Sequence, residues 1–561
     1  MTTRPLAHSL RHMGGWLLLL LAVTLPFELD EPLLHLGPLA FTNVELVLTA
    51  VLLLAGLVGW QERPFTPVPN RRWLVLLLAG GMFGVTAVLA PEHNGNALKA
   101  SLRLLSGIGL ALTVPLLMQN AAQRTRLLWA IIAAGLLVAV IGLAELWLGR
   151  ELAWLLPFRA GITVAGAYLR LTGPLDYANQ AAMILEAAVP LLLVAGWLWW
   201  QRGKKTTVLL LTAFLLLLLL QASFLTLSRA SFLTIGAVAG VMALLLGWRQ
   251  PLTRPWLGLV GLVGLLFVFN SGVSEAFRLR LGSEGDSGWY LAEWQVPPTL
   301  TLTANETRRV PITVTNHGAL VWHSQRQPPI NLGARWLQTE SALQLTEPRW
   351  PFDPPIGPGQ TASLQIPLRA PSEPGEYTLV WDVVQEQITW FGEKSNVFAT
   401  SQVVVRPGTD QPAPEWETAV PAWSYQLPIP DRSTLWPLAL QLIAERPFLG
   451  IGLDNFRLVY GRLLQADSWN DTIHTNNWFL EFLVGGGLLA ALPFFAWLAW
   501  EGTVAWTRLR QRPIDPWQVA LLASLLAFLL HGLVDFFLLF NSTGLLFWLL
   551  MGCWWQAQHH E

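Results

Sequence analysis

Cysteine and charge are both scarce in this chain of 561 residues. Its one cysteine, Cys553, lies inside an apolar segment and has no second cysteine with which to form an intrachain disulfide or a cysteine-based metal cluster. Charged residues make up only 13% of the sequence and the formal net charge is −1, so no basic surface for nucleic acid is indicated. These shortages exclude a disulfide-stapled secreted domain and disfavour a nucleic-acid partner.

Long apolar runs are abundant instead. Hydrophobic residues form 53% of the chain, which is typical of a polytopic membrane protein rather than of one soluble domain. The first run has no small-residue cleavage site, so we interpret it as a membrane helix and not as a signal peptide. Most of the runs are long enough to cross about 30 Å of hydrocarbon. The twelve predicted spans lie near residues 14–27, 42–60, 72–90, 100–118, 126–148, 175–200, 206–227, 230–247, 256–270, 476–500, 516–538 and 541–557.

Basic residues concentrate in alternate loops, which predicts that these loops and both termini face the cytoplasm, with residues 271–475 on the outer side. The predicted cytoplasmic cations are Arg4, Arg11, Arg63, Arg71, Arg72, Arg124, Arg126, Arg202, Lys204, Lys205, Arg249, Arg254, Arg508, Arg510 and Arg512.

A second set of cations falls in the opposite loops, where the positive-inside rule does not place them. They either snorkel to lipid headgroups and pair with acids, or they form a basic pocket for an anionic substrate. Arg229 is the strongest candidate because it begins a predicted helix after a tight turn, where free amide groups and a guanidinium together favour an anion. The outer cations are Lys99, Arg103, Arg150, Arg159, Arg170, Arg229 and Arg446.

A polar stretch precedes the tenth span and carries His474, Asn476 and Asn477. If this stretch is already helical, His474, Asn477 and Glu481 lie on one helix face. A histidine with a pKa near neutrality can accept a proton from a hydroxyl group, which makes His474 a candidate catalytic residue. The alternative interpretation is an interfacial helix cap without chemistry.

The middle of the chain has a different pattern. Short runs alternate polar and apolar residues between proline and glycine turns, which predicts an antiparallel β-sandwich. The predicted organisation is membrane helices 1–9 in residues 10–270, the sandwich in 290–406, a Pro-rich linker in 407–433, an outer loop with short helices in 434–474 and membrane helices 10–12 in 475–557.

Several blocks, in this order, resemble the O-antigen ligase and polymerase superfamily of bacterial membrane glycosyltransferases. The blocks are RLTGPLDYANQAA from Arg170, LSRAS around Arg229, ERPFLGIGLDNF from Glu445, HTNNWFLEFLVGGGLL from His474 and the closing HGLVDFF from His531. The resemblance covers roughly residues 10–270 and 434–557. It implies a GT-C-like helical fold in the bacterial plasma membrane. One position departs from the pattern, since Arg446 stands where many relatives carry a histidine.

The resemblance also implies a reaction. A glycan would pass from a polyprenyl diphosphate carrier to a lipid, polysaccharide or protein acceptor on the outer face of the membrane, with inversion at the sugar carbon and without metal or cofactor. The residues that it implies are His474 and Arg229 as catalytic groups, Arg229, Arg170, Arg103 and Arg446 as diphosphate ligands, and Asn476, Asn477 and Glu481 as acceptor-positioning groups.

The predicted sandwich resembles the Ig-like four-tryptophan module. The similarity rests on TNHGALVW, on APSEPGEYTLVW and on Trp390, Phe391 and Gly392. Aromatic side chains in such a domain can stack on sugars, but we interpret Trp322, Trp336 and Trp381 as residues of its core. Such a domain could hold an acceptor polymer, bind wall material or cover the active site.

Three alternatives remain open at this point. The first is a polysaccharide polymerase of the same superfamily. The second is a transporter of a small anion such as bicarbonate, suggested by the intramembrane residues His531, Asp535, Glu145 and Glu186, although an interhelical hydrogen-bonded pair is the commoner explanation for His531 and Asp535. The third is a surface receptor whose helices serve only as an anchor.

Overall fold

The computed structural model describes most of the chain. Arg63, Arg249, Arg512 and most of the predicted linker 407–433 lie outside the described residues. The described ranges are 4–36, 39–61, 71–161, 163–247, 250–283, 286–326, 328–338, 343–346, 349–408, 419–421, 429–466, 468–511, 513–538 and 540–559.

Helices account for both ends of the chain. They are α1 (Arg4–Thr24), α2 (Asn43–Gln61), α3 (Arg71–Val88), α4 (Asn94–Leu117), α5 (Ala121–Leu148), α6 (Ala178–Gly203), α7 (Thr206–Leu225), α8 (Arg229–Leu246), α9 (Thr253–Val273), α10 (Glu275–Gly282), α11 (Phe391–Ser395), α12 (Arg432–Glu445), α13 (Phe456–Leu463), α14 (Trp478–Arg510), α15 (Pro516–His531) and α16 (Asn541–His559).

Within the described ranges, ten helices are long and apolar enough to cross a membrane: α1 to α9 and α14. The chain therefore has the build of a multi-pass helical membrane protein. Of the other two predicted spans, α15 is an apolar helix of 16 residues that ends at His531 and not at residue 538. The second, α16, has 19 residues and is not among the ten.

Packing places α6 at the centre of the bundle. Its apolar stretch from Ala178 to Gly196 is almost entirely buried, whereas most other spans bury only one side. It contacts α5, α7, α8 and α15, while α14 packs mainly on α3, and α16 packs on α4. A helix that is apolar and buried all round forms the core of a large bundle.

The described residues contain fifteen strands, most of them in the inserted region. They are β1 (Leu34–Leu36), β2 (Leu39–Phe41), β3 (Val164–Ala165), β4 (Tyr168–Leu169), β5 (Ala292–Gln295), β6 (Thr299–Thr303), β7 (Thr307–Asn316), β8 (Ile330–Gln338), β9 (Leu343–Thr346), β10 (Trp350–Pro351), β11 (Thr361–Arg369), β12 (Gly375–Gln385), β13 (Thr389–Trp390), β14 (Ala399–Arg406) and β15 (Ala419–Pro421). The first four form two small hairpins between helices.

From β5 onward the strands form two sheets. One has the order β11-β7-β5, and the other has the order β15-β9-β8-β12-β14-β6, with β10 and β13 as additions. The pairs are antiparallel except for β6, which runs parallel to β14 and so departs from the expected all-antiparallel sandwich. Trp322, Trp336 and Trp381 are completely buried, which confirms that they are core residues.

The β-domain contacts the helical part through the β3–β4 hairpin. The Gly166 amide donates to Asp286 over 3.1 Å, and Lys394 of the β-domain lies 3.2 Å from the same carboxylate. Gly166 has a φ of +57°, and a Cβ there would lie 2.7 Å from the Tyr290 hydroxyl. A side chain at position 166 would therefore push the two parts away from each other.

Candidate active site around His474

The polar stretch before α14 is not helical. The helix begins at Trp478, and Asn477 is its N-cap, with its Oδ1 accepting from the amides of Phe479 and Leu480 at 2.9 and 3.1 Å. The expectation that His474, Asn477 and Glu481 share one helix face is therefore wrong. An asparagine side chain at the N-cap satisfies the free amides of the first helical turn. Helix α14 therefore begins after Asn477, and His474 lies in the loop before it.

The loop before α13 is held against a break in α14. At the break, Gly487 has a φ of +57°, and a Cβ there would lie 2.3 Å from the Phe448 carbonyl. Gly450 is equally constrained, since its Cβ would lie 2.4 Å from the Val484 carbonyl. The backbone bonds across this contact are Ile451 N to Val484 O, Gly452 N to Gly485 O, Leu488 N to Pro447 O and Leu489 N to Phe448 O, all 2.8–3.1 Å.

This contact fixes Asp454, which hydrogen-bonds His474. Asp454 follows the loop directly and has a left-handed φ of +68°. Its Oδ1 lies 2.8 Å from His474 Nε2. A carboxylate only accepts hydrogen bonds, so Nε2 carries a proton and Nδ1 holds the lone pair when the imidazole is neutral. The Asp454–His474 pair is thus an oriented imidazole with one nitrogen left for a ligand.

Arg457 and Asn96 complete the network. Arg457 holds both oxygens of Asp454 at 2.9 and 3.0 Å and also donates to Asn96 Oδ1 at 3.0 Å. Asn96 in turn donates to Asp454 Oδ2 at 3.1 Å. Helix α4 therefore shares in positioning an aspartate that lies far away in sequence.

The pKa values of this pair move in opposite directions. Burial would raise the pKa of Asp454, but hydrogen bonds from His474 and Arg457 outweigh it and hold that pKa below its ordinary value. Burial would lower the pKa of His474, but the hydrogen bond to Asp454 and the charges of Glu481 and Asp454 raise it above its ordinary value. His474 is therefore a stronger base than a free imidazole.

His474 lines a cavity of about 300 Å³, which we call the His474 cavity. Its ring packs against Phe536 and Phe540, with centroids 5.3 and 5.9 Å away. The cations on the walls outnumber the acids, which suits an anionic ligand. The lining residues are Asn96, Lys99, Ala100, Arg103, Asp176, Tyr177, Asp454, Arg457, Thr472, His474 and Phe540.

The predicted positioning residues have different environments. Asn477 is occupied as the cap of α14. Glu481 is buried and accepts from the Thr475 amide at 3.0 Å, so it ties down the loop that carries His474. Asn476 has a left-handed φ of +51°, and its side chain forms no hydrogen bond within the part of the chain that the structure describes. Asn476 is thus the one of the three whose amide is open to a substrate.

The predicted outer arginines do not all meet at one place. Arg103 lines the His474 cavity and lies 3.6 Å from Glu45. Arg446 lines a separate cavity on the other side of Asn455. Arg159 is completely buried and holds Glu145 with both terminal nitrogens, so its charge serves the fold.

Arg170 and Arg280 contact the α7–α8 turn, and Arg229 follows that turn as the first residue of α8. Arg170 Nε donates to the Thr226 carbonyl at 2.8 Å, and Arg280 approaches the Leu227 carbonyl at 3.5 Å. Leu227 has a φ of +53°, a strained conformation for a branched residue. Arg229 is the first residue of α8, and its guanidinium forms no hydrogen bond or ion pair with the residues that the structure describes. We call these three cations the arginine turn.

The arginine turn is electrostatically prepared for an anion. Burial lowers the pKa of Arg170, and the neighbouring charge of Arg280 lowers it further, against the opposing effect of Asp535. Two guanidinium groups held close together favour a bound phosphate, because its negative charge offsets the repulsion between them.

Two hydrogen bonds connect Arg170 of the arginine turn with Asp535, the residue that precedes Phe536. Arg170 donates to Asn179 at 3.2 Å, and Asn179 donates to Asp535 at 2.6 Å. Asp535 is followed by Phe536, whose ring packs on His474. Arg229 itself does not line the His474 cavity, so the structure does not place the two predicted catalytic residues in one cavity.

His531 has a different partner from the one expected. Its Nδ1 lies 2.8 Å from Glu186 in α6, while its Nε2 lies 3.9 Å from Asp535. The helix ends at His531, so Asp535 turns away toward Asn179 and the two residues are not one helical turn apart. The interhelical hydrogen bond that sequence predicts does exist, but Glu186 is the acceptor.

Sequence reasoning missed Asp454, Arg457, Asn96 and Arg280. Asp454 and Arg457 lie in or beside the block from Glu445, where the two glycines and an adjacent aspartate signal a shaped loop. Nothing in the local sequence marks Asn96 or Arg280, because their roles depend on contacts with distant residues.

Comparison with known proteins gives no guide to this site. No family model, no curated protein and no solved structure matches the chain.

Proposed function

We propose that the protein is a membrane glycosyltransferase that moves a glycan from a polyprenyl diphosphate to an acceptor hydroxyl on the outer face of the bacterial plasma membrane, in the manner of O-antigen ligases. The observation that carries the proposal is the His474–Asp454 pair in a cavity with cationic walls. The motif resemblance and the multi-pass helical build support it independently. A polymerase of the same superfamily would use the same groups.

The chemistry follows from these groups. His474 Nδ1 accepts the proton of the acceptor hydroxyl, and the acceptor oxygen forms a bond to the anomeric carbon. The bond from that carbon to the diphosphate oxygen breaks, and the electron pair leaves with the polyprenyl diphosphate. Arg229, with Arg170, stabilises the charge on that leaving group. Asp454 steadies the imidazolium that forms, since its carboxylate stays ionised.

The test is transfer from a synthetic polyprenyl-diphosphate oligosaccharide by the purified protein in nanodiscs, with EDTA present. We expect His474→Ala and Arg229→Ala to lose transfer, with a loss of at least about a hundredfold. His317→Ala and Arg406→Ala make the same chemical changes on the surface of the β-domain and serve as controls. Full transfer by either site variant would refute its proposed role.

A second candidate is anion or proton transport, favoured by one observation. Glu186 and His531 form a buried pair between α6 and the end of α15, and the partly exposed Asp535 lies 3.9 Å from His531 Nε2. Membrane-embedded ionisable groups of this kind mark ion pathways in transporters. Bicarbonate flux into proteoliposomes, lost in His531→Ala, would move this candidate ahead of the transferase.

A further inference from the structure

A second cavity adjoins the His474 cavity. It has a volume of about 210 Å³ and shares Arg103, Asp176 and Phe540 with its neighbour. We call it the Gln180 cavity, after the residue of α6 on its wall. Since the two cavities have three wall residues in common, a ligand in one lies next to a ligand in the other.

Two buried polar side chains line the Gln180 cavity without partners. Gln180 is 8% exposed and Ser542 is 4% exposed. Neither side chain forms a hydrogen bond with any residue in the described ranges. The hydrogen-bonding capacity of these two side chains is therefore left for a ligand in the small cavity that both of them line.

The remaining walls define the chemistry of that ligand. Asp30 offers carboxylate oxygens at the rim, and Asp176 forms part of the wall shared with the His474 cavity. Phe158 and Leu175 provide apolar surface. An amide and a hydroxyl can both donate and accept, whereas a carboxylate only accepts. The combination suits a ligand with several hydroxyl groups and an apolar face, which describes a sugar ring.

The volume and the charges of the Gln180 cavity restrict which sugar it can bind. The cavity is smaller than the roughly 300 Å³ at which pockets for drug-sized ligands begin, so it holds one ring rather than an oligosaccharide. The carboxylates of Asp30, Asp176 and Glu28 oppose a negatively charged sugar. Glu28 already accepts from Thr42 and Asn541, so it contributes charge more than hydrogen-bonding capacity.

We propose that the Gln180 cavity binds a single uncharged sugar ring of the glycan substrate, through Gln180, Ser542 and the two aspartates. This inference rests on the proposed function, because it assigns the sugar next to the diphosphate to this cavity. Arg103, which lines both cavities, then lies beside the ring. A donor whose first sugar is a uronic acid is a poor substrate.

The experiment compares Gln180→Met with Gln441→Met in the full-length protein in nanodiscs. Methionine keeps the length of the side chain and removes the amide. Gln441 lies exposed on α12, away from both cavities. Binding of methyl glucoside, methyl glucuronoside and ethanolamine is measured by saturation-transfer NMR, and the KM for a donor with an uncharged first sugar is measured by transfer.

We expect Gln180→Met to weaken methyl glucoside binding and to raise the donor KM by about tenfold, with Gln441→Met unchanged. Ser542→Ala should act in the same direction, and thermal unfolding of all variants should match that of the wild type. Methyl glucuronoside should bind about tenfold more weakly than methyl glucoside.

The outcomes separate this inference from the proposed function. Transfer with an unaltered KM in Gln180→Met overturns the sugar subsite and leaves the transferase standing. Glucoside binding that depends on Gln180, in a protein without transfer, supports the subsite and removes the transferase. Preferential binding of ethanolamine overturns the subsite, because it identifies a cation site formed by the carboxylates.

Discussion

Replacing Asp454 by asparagine should shift the pH dependence of transfer. In the wild type, the hydrogen bond and the charge of Asp454 raise the pKa of His474. A hydrogen bond to a charged group contributes about 1.5–3 kcal/mol, and burial of the imidazole opposes its effect on the pKa. Asparagine keeps a hydrogen bond but removes the charge, so the pKa of His474 should fall.

The sign of the shift follows from the role of His474. A general base acts in its neutral form, so activity rises as pH passes its pKa. In Asp454→Asn the rising limb of kcat/KM should therefore move toward acid, while the plateau falls because the imidazole is less well oriented. The His474 resonance in NMR should titrate with the same shift. The control is Asp431→Asn, because asparagine caps α12 equally well.

Two results would contradict this reasoning. An unchanged pKa of His474 in Asp454→Asn would show that the pair does not set the basicity of the imidazole. A rising limb that moves toward alkaline pH would show that a different group titrates. The same pair also affects stability, since a raised histidine pKa stabilises the fold below the unfolded-state value near 6.5. That contribution disappears as pH rises through the folded-state pKa, and it should be reduced in the variant.

Three further substitutions test the architecture. Gly487→Ala should destabilise the protein by about 2 kcal/mol or more in thermal unfolding, because its φ is positive and a carbonyl lies 2.3 Å from the new Cβ, whereas Gly502→Ala in open space on the same helix should not. Arg159→Met leaves a buried carboxylate unpaired and should cost about 3–5 kcal/mol. Arg103→Ala should weaken donor binding at least about tenfold in a vesicle-binding assay, whereas Arg446→Ala in its separate cavity should change it less than about twofold.

Apolar periodicity and length predicted the helical membrane build and the inserted β-domain, because burial in lipid and in a sandwich core leaves strong patterns in sequence. Boundaries were less predictable. Asn477 looks like a residue on a helix face, but its side chain is a better cap than a helical neighbour. Likewise α15 stops at His531, since the residues after it turn toward α6.

The candidate site was predictable only in its separate parts. The sequence identified His474 and Arg229 as individual residues. It did not identify Asp454, which orients His474, or Arg280, which belongs to the arginine turn with Arg229. The Asp454–His474 bond spans 20 positions and depends on a break in α14 far along the chain. Contacts of this kind arise from tertiary packing, so no local pattern encodes them.

The β-domain contacts the β3–β4 hairpin, which leads directly to Arg170 of the arginine turn. Asp286, just before the β-domain, accepts from Gly166 in the β3–β4 hairpin and also pairs with Lys394 of the domain itself. The hairpin ends at Leu169 and is followed directly by Arg170, whose amide donates back to the Thr163 carbonyl. Two short strands thus separate the β-domain from a guanidinium in the proposed diphosphate site.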